Sequence, residues 1–111
     1  MKILNYDDFV KLPKGTLYCE THPCIFGELQ LKQDTINDGN DWFLTRLDYL
    51  KDKEDEHLQF QDQYKLLEKG ESLDLDIHCQ ERDGMFDYDR KFLIYEKKDV
   101  EKIIELLKTC L

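Results

Sequence analysis

Residues 82–111 spell a turn, a strand and a helix in direct succession, and that order constrains the fold more than any other stretch. The turn is Arg82-Asp83-Gly84-Met85-Phe86-Asp87-Tyr88-Asp89, acidic and carrying a glycine. Residues 90–95 follow as a short apolar strand. Val100, Ile103, Ile104 and Leu107 then fall at i, i+3, i+4 and i+7 behind Asp99, the stripe of an amphipathic helix.

Taken from its start, the chain supplies the partners this unit needs. Asn5 is placed to cap a helix over residues 5–12, with Leu4 and Phe9 at the two staple positions and Pro13 as the stop. Residues 16–20 read as a strand and residues 24–31 as a second, in which Gly27 marks a bulge or a close contact. Asn37-Asp38-Gly39-Asn40 is a dense turn, after which residues 42–49 form a third, central strand. The charge run over residues 51–56 reads as a solvated linker or a helix start. Phe60, Tyr64 and Leu67 mark one side of a helix that Gly70 ends. From residue 73 the period is two: Leu73, Leu75, Ile77 and Cys79 on one side, Asp74, Asp76 and His78 on the other. That pattern predicts a half-buried strand. The order α-β-β-β-α-β-β-α predicts an α+β fold, one domain over residues 1–111. Its antiparallel sheet of about five strands carries helices mainly on one face.

Composition narrows the function. With 37% charged residues the chain invites a reading of disorder, but six Phe, six Tyr and one Trp at regular spacing supply a core. A net charge of -9 repels nucleic acid and anionic membranes, and favours either a basic partner surface or plain solubility. No apolar run is long enough to span a bilayer, and the start lacks a signal-peptide core. A cytoplasmic location is therefore expected, with Cys19, Cys24, Cys79 and Cys110 as reduced thiols.

Several chemistries find no pattern. Cys19, His22 and Cys24 with His78-Cys79 do not have the paired spacing of a zinc site, and Cys79 and His78 are predicted on opposite faces. Asp83, Asp87 and Asp89, or Asp38 and Asp41, fail the calcium-loop spacing. No nucleophile elbow, phosphate loop or zinc-protease motif occurs, and His57 is expected in solvent. Neither enzyme activity nor a cofactor is expected.

Two patches remain. Residues 71–89 hold seven acids (Glu71, Asp74, Asp76, Glu81, Asp83, Asp87, Asp89) against one base, Arg82. On a strand, Asp74 and Asp76 would project from one side about 6.6 Å apart. Such a row steers a protein onto a basic groove, or else is a solvated face or a charge-protected edge. Tyr88 beside it suits an interface anchor. The alternative patch is Arg90 and Lys91, with Lys97, Lys98 and Lys102 nearby, which together with Tyr95 would grip a small nucleotide.

Tyr6-x-x-Phe9-x-x-Leu12-Pro13-x-Gly15-Thr16, Pro23-Cys24-x-Phe26-Gly27-x-Leu29, the 82–89 turn and Phe92-x-x-Tyr95-Glu96-x-x-Asp99-Val100 together resemble small acidic proteins encoded by bacteriophages and prophages. The likeness covers both ends but not residues 32–70, and it carries no functional residue with it. It implies a setting in the bacterial host cytoplasm, where such a protein binds and inhibits a host component. A defence nuclease with a basic channel, blocked stoichiometrically as anti-CRISPR proteins do, fits that setting. The alternative it leaves is a sponge that sequesters a nucleotide immune signal.

Overall fold

Strand alternation and a few aromatic side chains decide how the sheet is covered. The computed structural model describes residues 1–51 and 59–111; most of the charge run, and His57, lie outside them. The strands are β1 (Lys2–Asn5), β2 (Thr16–His22), β3 (Ile25–Phe26), β4 (Gln30–Ile36), β5 (Asp41–Arg46), β6 (Glu81–Arg82) and β7 (Lys91–Tyr95). The helices are α1 (Tyr6–Phe9), α2 (Phe60–Glu68) and α3 (Lys97–Lys108). All strands join one antiparallel sheet ordered β1-β7-β2-β4-β5-β6, with β3 paired to β2. The fold is thus α+β, as expected, with seven strands among the described residues instead of about five.

The N-terminal helix begins where its cap was read: the Asp8 N–H donates to Asn5 Oδ1 at 3.0 Å. It lasts only four residues, because the segment before it is a strand and the one after it turns back toward the sheet. Those four residues place Tyr6 and Phe9 on the core. Phe9 stacks on Phe92 at 4.0 Å and meets Trp42 edge-on at 4.9 Å. Trp42 Nε1 donates to the Tyr18 hydroxyl at 3.0 Å, and burial pushes the Tyr18 phenol pKa well up. Leu44 and Ile94 complete the buried cluster, and Leu4, Val10 and Leu12 pack at its border. Aromatic pairs of this kind contribute about 0.5–1.5 kcal/mol each beyond area burial.

Two local devices shape the sheet and tie it to the chain after α1. Gly27 separates β3 from β4; its N–H donates to Glu20 O at 2.8 Å, and a Cβ there would lie 3.2 Å from that oxygen. Lys32 is wholly buried, and among the described residues its ammonium forms no ion pair with a carboxylate. Its Nζ donates to Leu12 O (2.9 Å), Gln33 O (3.2 Å) and Thr35 Oγ1 (2.6 Å), while Thr35 donates onward to Val10 O. Lys32 and Thr35 flank the register shift between β4 and β5, so the irregularity is where the sheet grips the end of α1 and the turn that follows it. Burial lowers the Lys32 pKa.

Three expectations are corrected. Residues 73–79 are not a strand: among the described residues one bridge, Leu50 to Leu75, is their ladder, and Leu75 and Ile77 are exposed. Asp76 Oδ1 accepts the amides of His78 (2.9 Å) and Cys79 (3.1 Å), a local turn that competes with strand pairing. The central helix, ended by Gly70 at φ +88° as read, is turned about its axis. It buries Gln63, which donates to Leu50 O, and exposes Phe60, Tyr64 and Leu67. The C-terminal helix buries none of its residues. No helix among the described residues is long and apolar enough to cross a membrane.

Candidate functional site

The 83–90 turn is built on a buried guanidinium. Arg90 precedes β7 with the parity of Phe92 and Ile94, so its side chain enters the core face and only 4% of it is exposed. Its two terminal nitrogens take Asp83 as a fork, at 2.9 and 2.6 Å. Nη1 also reaches Glu20 Oε1 at 3.0 Å, and Nε donates to Asp87 O at 3.2 Å. The guanidinium carbon lies 5.1 Å from the Trp42 ring centre. Burial alone would lower the Arg90 pKa; the hydrogen-bonded carboxylates of Asp83 and Glu20 more than offset it, and the net shift is upward.

The near end of the turn is fixed as firmly. Asp41, at the head of β5, accepts the amides of Trp42 and Gly84 on Oδ1, each at 2.9 Å. Its Oδ2 lies 3.1 Å from Arg82 Nε, close enough for an ion pair but without hydrogen-bond alignment. The Asp83 N–H donates to Trp42 O at 3.0 Å. Tyr6 donates to Asn40 O and meets Tyr88 edge-on at 4.9 Å.

What this frame presents is apolar and acidic together. Met85, Phe86 and Tyr88 are exposed, alternating with Asp87 and Asp89. Phe86 sits at φ +51°, a left-handed conformation a bulky side chain seldom adopts. The Arg82 guanidinium lies 5.9 Å from the centre of its ring. Asp87 accepts the Asp89 amide at 3.2 Å, and Asp89 makes no ion pair among the described residues.

The acidic row is therefore broken up. Asp87, Tyr88 and Asp89 come together and face outward. Asp83 does not: its side chain is 8% exposed and neutralised by Arg90. Asp76 is half-buried and spent on its own turn, and Asp74 is exposed on a segment that forms no strand with it. Arg90, Lys91 and Tyr95 do not converge on one phosphate either. Arg90 points into the core, whereas alternation puts Lys91 and Tyr95 on the opposite face. A depression of about 310 Å³ is lined by His22, Arg90 and Lys91 together with Asp87 and Asp89, whose carboxylates offset the cations there. Among the described residues no three His, Cys, Asp or Glu side chains are grouped to hold a metal.

Met85 and Phe86 as exposed groups, and Arg90 as a buried one, were missed from the sequence. Parity was the available signal for Arg90, two positions before Phe92. No family model, curated protein or solved structure matches this chain.

Proposed function

We propose that the chain is a non-enzymatic binding module whose 83–90 turn docks on a basic protein surface. The carrying observation is the contrast within that turn: it is fixed from beneath by Arg90 and Asp41, yet shows Met85, Phe86, Tyr88, Asp87 and Asp89 to solvent. Interface centres favour aromatic residues and methionine, and a turn ordered beforehand loses little entropy on binding. The net charge of -9 steers it toward positive potential. With the sequence's resemblance to phage and prophage proteins, the partner we propose is a bacterial nucleic-acid-binding effector such as a defence nuclease, blocked in the host cytoplasm.

The test compares wild type with the triple variant Asp87→Asn/Tyr88→Ala/Asp89→Asn as baits in a bacterial extract, then measures affinity for the captured protein at two salt concentrations. All three side chains are exposed and only the edge contact of Tyr88 with Tyr6 is given up, so the variant is expected to fold with a small loss of stability. Affinity is expected to fall roughly a hundredfold, with a flatter salt dependence. A captured partner held equally well by the variant would remove the turn from the interface.

A further inference from the structure

We infer that the cavity between the end of β5 and α2 binds a small, uncharged aromatic heterocycle that carries a hydrogen-bond acceptor. The cavity holds about 380 Å³, and Tyr49, Leu50, Phe60, Gln63 and Cys79 line it. That is the small end for ligand sites, which are mostly apolar with a few placed polar groups. Three features of the fold meet there. The α2 helix turns Gln63 inward and leaves Phe60, 69% exposed, beside the cavity. Residues 73–79 form no long strand, yet they are tied to residues 49–51, and Cys79 becomes a wall. The Asp76 N–H donates to Tyr49 O and the Lys51 N–H to Asp74 O, both at 2.7 Å. The Tyr49 hydroxyl is shut off from solvent and has no hydrogen-bond partner among the described residues. A buried hydroxyl left in that state is destabilising, and an acceptor on a ligand would satisfy it.

Charge sets the class of ligand. Burial, with the Glu81 carboxylate adding to it, pushes the Tyr49 phenol pKa up, so the hydroxyl keeps its proton and donates. Glu81 is not in hydrogen-bond geometry with it. Arg46 and Asp48 also line the cavity, and the Arg46 guanidinium carbon lies 5.6 Å from the Tyr49 ring centre. That cation is already committed: its Nε and Nη2 donate to Asp48 at 3.0 and 2.8 Å, and Glu28 lies 3.5 Å away. Burial, then Asp76 and Glu81, push the Cys79 thiol pKa up, so Cys79 is a wall and not a nucleophile. A phosphate or carboxylate entering here would meet carboxylates and a neutralised arginine. An uncharged ring meets no such repulsion, and it stacks on the exposed Phe60 ring while its acceptor takes the Tyr49 proton.

Amide chemical shifts of the whole chain under titration test this with three probes. They are hypoxanthine, indole (a bicycle without the acceptor) and inosine monophosphate (the same base with a phosphate). Hypoxanthine is expected to shift Leu50, Gln63 and Cys79 to saturation, with indole and the monophosphate each bound roughly tenfold more weakly. Tyr49→Phe should weaken hypoxanthine binding roughly tenfold and leave indole unchanged. Without ligand, that variant should unfold at the same urea concentration as wild type or a higher one, because its hydroxyl had no partner to lose. Absence of a saturable shift with hypoxanthine overturns the inference, as does a monophosphate that binds as tightly as the base. A Tyr49→Phe protein that binds hypoxanthine undiminished overturns it too. So does a ligand-free Tyr49→Phe protein less stable than wild type, since the hydroxyl would then be bonded within the protein. None of these residues lies in the 83–90 turn, so this result and the partner-binding result stand separately.

Discussion

Replacing Arg90 by alanine is expected to remove roughly 3–5 kcal/mol of unfolding free energy, the usual cost of breaking a buried ion pair from one side. Asp83 would be left charged, nearly buried and without the fork that holds it. Glu20 and the Asp87 carbonyl would lose a donor in the same step. Domains of this size have about 5–15 kcal/mol in total, so the variant would sit near the edge of folding. Arg90→Lys should recover only part of the loss, because an ammonium cannot reproduce the two parallel bonds. The double variant Arg90→Met/Asp83→Leu should be more stable than Arg90→Ala, since no unpaired charge remains. Urea unfolding with an unchanged slope measures all three. A loss below about 1 kcal/mol in Arg90→Ala would mean that the guanidinium is solvated and the turn is held otherwise.

Phe9→Ala is expected to cost a similar amount, roughly 3–5 kcal/mol, for an unrelated reason. Phe9 is fully buried, stacked on Phe92 and edge-on to Trp42, with Tyr18 at 4.6 Å. A four-residue helix has no means of closing the cavity, since Tyr6 is already committed to Asn40 and Tyr88. Phe60→Ala, the same change on the exposed side of α2, should stay within about 0.5 kcal/mol. The contrast between two phenylalanines on helices is the informative part of that measurement. Equal effects would mean that α2 packs through its aromatic side after all.

Those two phenylalanines also show how far the sequence could be read. Phe9 was recognisable because the Asn5 cap put it at the staple position opposite Leu4, although the helix ends at Phe9 and not at Pro13. Phe60, Tyr64 and Leu67 give a correct helix but not its orientation: periodicity states which residues share a side, not whether the sheet has room for that side. The same limit applies to α3, whose stripe at Val100, Ile103, Ile104 and Leu107 is real and unburied. At 73–79 the alternation was genuine, but Asp76 satisfied the neighbouring amides locally and no long strand among the described residues lies alongside. β1 and β6 were too short to display any period, and only pairing with β7 and β5 makes them strands.

The acidic patch was legible as composition and not as geometry. Net charge over residues 71–89 does not distinguish Asp83, neutralised inside by Arg90, from Asp87 and Asp89, which face water. Reading Arg90 by its parity with Phe92 and Ile94 would have separated them, and would also have removed it from the nucleotide-binding set. The turn that results is a small platform, ordered by buried ion pairs, on which two carboxylates flank a tyrosine.

Backbone amide relaxation by nuclear magnetic resonance on the free protein tests that platform most directly. Residues 85–89 should show order parameters near those of the strands, about 0.85, while remaining exposed to solvent. Values below about 0.6 across the same residues would contradict it, since the turn would then be flexible before any partner arrives.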